Sequence, residues 1–291
     1  MQKLITAKTS RLYNDVAQLT SISPARNVYH HESLEAAALY IESEFKNAGY
    51  IPTLQTWQAG SNTYKNIIAT YQPEKQSRLI IGAHYDVCGD QPGADDNASA
   101  VAGLLELARM LFANKPDLDY QVEFVAYSLE EPPYFGSTDM GSYVHARSLY
   151  EEEVDVLGMI CLEMIGYFSD ASGSQPFPSQ ELAKRYPDTA NFIIVVGIEK
   201  YLAFNDKVHL LMKQEAAIDI QIIHFPTGES LAGLSDQRNY WKFGYPALMV
   251  NDTAFIRNPN YHTKQDTIET LDFPKMTAVV DAVYHAITNM K

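Results

Sequence analysis

The sequence holds only two cysteines, Cys88 and Cys161, in 291 residues. A disulfide framework is thereby excluded. Both thiols fall in apolar, strand-like runs, where buried free cysteines are expected. Basic residues are also scarce: 22 Lys and Arg stand against 36 Asp and Glu, for a net charge of −14. A chain this acidic has no electrostatic reason to seek nucleic acid or an anionic membrane surface. No stretch approaches the ~20 consecutive apolar residues of a membrane span. The opening MQKLITAKTSRLYNDV lacks the apolar core of a signal peptide. As written, the chain is expected to stay in the cytoplasm; a removed leader would place it in the periplasm or outside the cell. Internal repeats and Gly/Pro/Ser-rich linkers are missing as well, so residues 1–291 read as one domain. What remains is ordinary globular material, 46% hydrophobic and 20% charged. A domain this long buries about three quarters of its unfolded surface and needs no metal or disulfide merely to fold.

Periodicity organises the chain into alternating elements. Ala37, Ala38, Ile41, Phe45 and Ala48 fall on one face of a helix over 33–48, and Gly49 is placed to end it. Strands are expected at Leu54–Trp57, Lys65–Tyr71 and Arg78–Tyr85, the last a continuous apolar run of the buried parallel kind. A Gly/Pro/Asp loop follows, then a helix over Ser99–Ala113 with Val101, Leu104, Leu105, Ala108 and Leu111 at helical spacing. Gln121–Ser128 and Val156–Glu163 read as strands, with a helix over Ser137–Ser148 between them. Asn191–Ile198, Ile220–Phe225 and Ala247–Asn251 are further strands, and Pro274–Met290 is a closing helix. Strands alternating with amphipathic helices predict an α/β domain of three layers, α/β/α, around a mostly parallel, mixed, twisted sheet. Ligands in such sheets bind where strands end and loops begin.

Five of those places carry candidate chemistry. His84 and Asp86 close one strand, Asp95, Asp96 and Asn97 precede a helix, and Glu130 and Glu131 follow the QVEFVAYS strand. Glu163 ends VLGMICLE, and His262 sits in the loop NPNYHTKQD. Singly, each has an ordinary explanation: a hydrogen-bonded histidine, an N-cap, a solvated acidic pair. Together they pose a charge problem, because adjacent carboxylates at the end of an apolar strand are costly unless something positive compensates them. From Val87 to Gly136 the only cations are Arg109 and Lys115. Nitrogen and carboxylate donors suit zinc or a similar first-row divalent ion. Five ligands exceed one tetrahedral site and fit two metals that share one bridging carboxylate.

The blocks GAHYD, GADDNASA, SLEEPPYFGS, LEMIG, SDQRNYW and YHTKQDT, in this order from about Asn66 to Leu271, resemble the two-zinc exopeptidase family. That family holds bacterial aminopeptidases, glutamate carboxypeptidase and glutaminyl cyclases, on a phosphorylase/hydrolase-like fold. The resemblance implies that Asp96 bridges two zinc ions, that His84 and Glu163 hold one, and that Glu131 and His262 hold the other. It further implies that Glu130 is the general base and that Asp86 fixes the far nitrogen of His84. It also implies a cis peptide between Asp96 and Asn97. Two positions depart from the family pattern. Glu163 stands where the best-known members have Asp, and Gln237 where many relatives have His. Either carboxylate ligates zinc, and Gln237 is given no metal role.

The expected reaction is hydrolysis of a peptide bond near a chain terminus, on a peptide or aminoacyl substrate. Zinc lowers the pKa of bound water towards ~7, and Glu130 passes the proton to the leaving amine. The acidity of the molecule suits a substrate ammonium, favouring an aminopeptidase over a carboxypeptidase. The alternatives are glutaminyl cyclisation and a non-catalytic peptide-binding relative. Tyr134, Phe135, Phe168, Tyr240 and Tyr261 lie near the motifs, as pocket wall or as core, and Gly173–Pro178 is read as a loop beside the site.

Overall fold

The computed structural model describes residues 4–214 and 216–290. Two helices, α1 (Thr9–Thr20) and α2 (His31–Ala48), precede a hairpin of β1 (Thr53–Ala59) and β2 (Asn62–Tyr71). Next come β3 (Arg78–His84), a kinked turn over Ala94–Ser99, α3 (Ala100–Asn114), β4 (Gln121–Tyr127), α4 (Gly141–Glu151) and β5 (Val156–Glu163). The second half holds α5 (Gln180–Arg185), β6 (Phe192–Ile198), α6 (Leu202–Gln214), β7 (Asp219–Phe225), α7 (Gln237–Lys242), β8 (Ala247–Asn251) and α8 (Phe273–Asn289).

Every strand expected from the sequence is present. The helix expected from Ser137 begins instead at Gly141, whose N–H donates to Ser128 O at 2.7 Å. Four helices were not anticipated: α1, α5, α6 and α7. The buried side of α1 is Leu12, Asp15, Val16 and Leu19, so a carboxylate interrupts its apolar stripe. Local rules account for the ends that were read. Gly49 closes α2 at φ 106°, and its N–H and that of Tyr50 bond the last carbonyls. Asp272 caps α8 by accepting from Lys275 N at 3.0 Å, with Pro274 in the first turn.

The eight strands form one sheet in the order β1-β2-β4-β3-β5-β8-β6-β7. Pairings β3–β4, β3–β5, β5–β8 and β6–β7 are parallel; β1–β2, β2–β4 and β6–β8 are antiparallel. Helices α1, α2, α3, α6 and α8 pack on one face, α4 and α7 on the other. Both faces are buried, which is why the interiors of β3 and β5 read as unbroken apolar runs, while β4 admits Glu123 only paired with Arg78 at 3.3 Å. Along β4, Val122, Phe124 and Ala126 enter one core while Val125 and Tyr127 enter the other. The Val and Phe side chains among them contribute about 1.5–3 kcal/mol each when fully buried. Among the described residues no helix is long and apolar enough to cross a membrane.

The topology selects where a site can form. The chain leaves β3, returns on one side as β4, then crosses to the other side of β3 as β5. The loops after these strands diverge and leave a crevice at their carboxyl ends. His84 ends β3, Glu163 ends β5, and Glu130 and Glu131 lie just past β4.

Candidate metal centre

Side chains distant in sequence meet in that crevice. His84 Nε2 stands 3.4 Å from Asp96 Oδ1 and 3.2 Å from Glu163 Oε2. His262 Nε2 stands 3.1 Å from Asp96 Oδ2 and 3.4 Å from Glu131 Oε1. Asp96 thus turns one oxygen to each histidine. Glu130 and Glu131 diverge: Glu130 Oε2 lies 3.9 Å from His84 Nε2, whereas Glu131 faces His262. All these side chains are buried except His262, which is 27% exposed at the mouth and stacks on Tyr261 at 3.7 Å.

A second group of polar residues fixes them. The Asp86 carboxylate accepts the backbone N–H groups of Glu130 at 3.2 Å and Glu131 at 3.0 Å, so it ties the loop after β4 to the end of β3. The sequence reading gave Asp86 to the far nitrogen of His84. That nitrogen instead bonds the Asp86 main-chain carbonyl at 3.1 Å, with the carboxylate 3.6 Å away. Asp266 accepts from the N–H groups of Asp95 and Asp96 at 2.9 and 3.0 Å and holds the kinked turn. The Asp96–Asn97 peptide is cis. Asp95, its carboxylate turned to Gly166 N and Asn258 Nδ2, stays out of the centre. Ser235 Oγ donates to Glu163 Oε2 at 2.7 Å, and Asn97 Nδ2 reaches the same oxygen at 3.2 Å. The backbone is strained beside the candidate ligands: Leu129, Met164 and His262 have φ of 64°, 48° and 55°. Positive φ in bulky residues persists only where the surroundings enforce it and clusters at functional sites.

One cation nearby escaped the sequence reading. Arg26 is 2% exposed and gives its N–H groups to carbonyls: Tyr85 at 2.9 Å, Gly93 at 2.6 Å, Leu19 at 3.3 Å, and Pro92. It buttresses the loop between His84 and Asp96. Burial lowers its pKa to about 10, opposed by Asp266, Asp96, Asp86 and Glu131. No periodic pattern marks Arg26 in the sequence.

The electrostatics describe a centre short of positive charge. Desolvation, then the repulsion of Asp96, raises Glu131 to about 7. Burial raises Glu130 well above the carboxylate range, with Glu131 and Glu163 adding to it. The histidines move up against their own desolvation: His84 because Glu163 and Glu130 face it, and His262, to about 10, through Asp96 and Glu131. Burial would raise Asp96 too, but His262 and His84 outweigh it and hold it low. Glu130, Glu131 and both histidines are thus shifted towards their protonated forms while Asp96 stays ionised between the histidines, as expected where carboxylates outnumber cations.

The donor set fits divalent ions by a geometric test. Two ligands 2.0–2.2 Å from a tetrahedral zinc stand about 3.3–3.6 Å apart. Of the four separations around His84 and His262, two are 3.4 Å and lie in that range, and two, 3.1 and 3.2 Å, fall just short of it. Glu131 Oε1 and His262 Nε2 are buried without a hydrogen-bond partner. Donor atoms of His84, Asp96 and Glu163 lie within 4.8 Å of one another, as do those of His84, Glu130 and Glu131 and those of Cys88, Glu131 and His262. Cys88 differs from expectation: it lies in the loop after β3 and is half-buried, while Cys161 is buried in β5 as expected. Burial, with Glu131, Asp96 and Asp86, raises the Cys88 thiol to about 11.

An apolar pocket opens beside this cluster and shares Glu163 and Tyr261 with it. Its wall includes Phe177, Tyr186, Ile194, Val196, Phe225 and Met249. Phe177 and Pro178 confirm that Gly173–Pro178 borders the site. Of the five aromatics noted in the sequence, Tyr261 lines the pocket. Tyr240 bonds Tyr127 and His145 in the core, Phe168 and Phe135 lie under Arg257 and Arg238, and Tyr134 packs on Tyr64. The pocket residues of β6, β7 and β8 read as strand core, and nothing in their pattern separates a pocket wall from a buried face.

Comparison with known proteins agrees with this architecture. The model for peptidase family M28 matches residues 66–287. The Escherichia coli K12 protein YfbL, described as uncharacterized, is 42% identical over 98% of this chain and 89% of its own length. Leucine aminopeptidase 1 of Metarhizium robertsii is 28% identical over 81% of this chain and 57% of its own, so the chain spans little more than half of that relative. The structure of BSAP, a zinc aminopeptidase from Bacillus subtilis, shares the fold with a TM-score of 0.75 at 16% identity, covering 98% of this chain and 96% of its own. With a family model matched over most of its length and a relative 42% identical along nearly all of it, the chain belongs to peptidase family M28.

Proposed function

We propose that the chain is a two-zinc aminopeptidase that removes apolar residues from peptide N-termini. His84 and Glu163 would hold one ion, Glu131 and His262 the other, and Asp96 both. When bound, the ions supply Lewis acidity, which acidifies water and polarises a carbonyl. The remaining work falls to protein groups. Glu130, buried and drawn up in pKa, accepts the proton of the attacking water and returns it to the leaving amine. Asp86 holds the main chain of Glu130, so the base is aimed from a fixed loop. Ser235 fixes the Glu163 carboxylate.

The pocket carries the choice of substrate. Its lining holds no Lys or Arg among the described residues, so nothing there grips a C-terminal carboxylate. The acidic centre suits an α-ammonium instead. The free space of ≈ 100 Å³ is on the scale of the ~150 Å³ apolar cavities that bind a benzene ring, which favours a Leu- or Phe-sized side chain over a larger one. A leucine aminopeptidase among the relatives is in keeping with this.

The test is a panel of aminoacyl reporters, N-blocked reporters and N-terminal glutamine peptides, assayed on chelated protein with and without zinc. Zinc-dependent release from unblocked leucyl substrates is expected. Equal turnover of blocked substrates would overturn the aminopeptidase reading, and conversion of N-terminal glutamine at one metal per chain would replace it with cyclisation.

A further inference from the structure

Cys88 sits in a stretch pinned on both sides. Val87 N donates to Arg26 O at 3.1 Å, and Asn27 Nδ2 donates to Gly89 O at 2.5 Å. The thiol is therefore held by its neighbours in the chain. What it faces is unusual for a structural cysteine. Cys161 packs in the hydrophobic core, among Tyr127, Met159 and Met249. Cys88 has its sulfur within 4.8 Å of donor atoms of Glu131 and His262. Glu131 is 3% exposed and its Oε1 accepts no hydrogen bond among the described residues, facing His262 Nε2 at 3.4 Å, and that nitrogen in turn faces carboxylates, Asp96 Oδ2 at 3.1 Å and Glu131. A half-buried sulfur beside a buried carboxylate and an imidazole that share too little positive charge has the composition of a metal site with one soft ligand.

We infer that Cys88 is a sulfur donor to the ion held by Asp96, Glu131 and His262. The inference rests on the two-ion reading proposed above. The thiol proton leaves to solvent as the sulfur–metal bond forms, with no change of oxidation state. The two ions then sit in unlike surroundings. The His84 side offers only nitrogen and oxygen; the His262 side adds sulfur and prefers thiophilic cations such as zinc, cobalt(II) and cadmium over magnesium or manganese.

Titration of the chelated chain with cobalt(II) tests this without an activity measurement. Two cobalt ions per chain are expected, with a thiolate-to-cobalt charge-transfer band in the near ultraviolet. Cys88→Ser is expected to keep both ions and their visible ligand-field bands, lose the near-ultraviolet band, and lower the cadmium-to-zinc preference. Cys161→Ser is expected to keep the band. Cys88→Asp is expected to hold two ions without it, showing that the position survives the change of donor. Two bound cobalt ions with no charge-transfer band in the unaltered chain would overturn the inference, and so would persistence of the band in Cys88→Ser; either leaves the two-ion centre standing. If no cobalt binds, the two-ion reading fails first and this inference falls with it.

Discussion

Two of the acidic clusters among the described residues differ in what neutralises them. In the layer of α1, α2 and α3, Asp15 accepts both ends of the Arg109 guanidinium at 2.6 and 3.0 Å, and Glu44 accepts it at 2.6 Å. Glu106 takes Arg11 at 2.5 Å. Acid and base come from the chain itself, in the bidentate geometry that makes such pairs strong. In the crevice, Asp86, Asp96, Glu130, Glu131 and Glu163 are just as buried. Among the described residues their only ion-pair partners are His84 and His262. Arg26, the guanidinium nearest by, gives its N–H groups to carbonyls. Burial and acidity alone therefore do not separate structure from function; the missing counter-charge does.

That contrast can be broken from either side. The largest effect is expected at the base: Glu130→Gln should lower turnover about 10²- to 10⁴-fold while metal content and unfolding midpoint stay near those of the parent. Normal hydrolysis by this variant would remove the base assignment. In the paired cluster, Arg109→Met should cost about 3–5 kcal/mol of stability, because Asp15 is left buried and uncompensated. Denaturant unfolding reads that loss, and metal analysis should still find two ions. Asp96→Asn is the mirror experiment, expected to abolish metal binding; unchanged metal content there would refute the bridging role. Zinc itself should act on one cluster alone. At a hundred times its Kd, an added ion stabilises the chelated chain by about 2.7 kcal/mol, in Arg109→Met as in the parent but not in Asp96→Asn.

The smallest effect concerns a buried group that avoids the charge problem by staying neutral. Burial, then Arg78, depresses His145 to about 3, where it bonds Tyr240 Oη at 2.6 Å. Between pH ~6.5 and about 3 the unfolded chain binds a proton that the folded chain refuses, so stability falls as pH falls through this window. The slope is at most about 1.4 kcal/mol per pH unit for one proton. His145→Gln should flatten that part of the pH–stability curve; equal slopes in parent and variant would show that His145 titrates alike in both states.

The parts of the site legible in the sequence share one property: each lies at a strand end or in a short block beside one. His84, Glu130, Glu131 and Glu163 are polar residues abutting apolar runs, and that abrupt change of character is visible without coordinates. Asp96 and His262 were legible through their blocks. Arg26 was not, because it works through main-chain carbonyls and needs no particular neighbours. The second role of Asp86 was hidden for a related reason: its carboxylate bonds N–H groups that every residue except proline carries. Cys88 was misread as strand on the apolar character of its neighbours Tyr85 and Val87, although the polar His84 and Asp86 already mark the end of β3.

Sequence alone settled the strands, the main helices and the three layers and nominated the candidate donors, since hydrophobic period and side-chain chemistry are local properties. Only the tertiary structure decided which donor faces which, that Arg26 stands behind the centre, and that an apolar pocket adjoins Glu163. Those outcomes depend on how β4 and β5 flank β3 and on where the returning loops land, and chain segments more than a hundred residues apart meet there by packing.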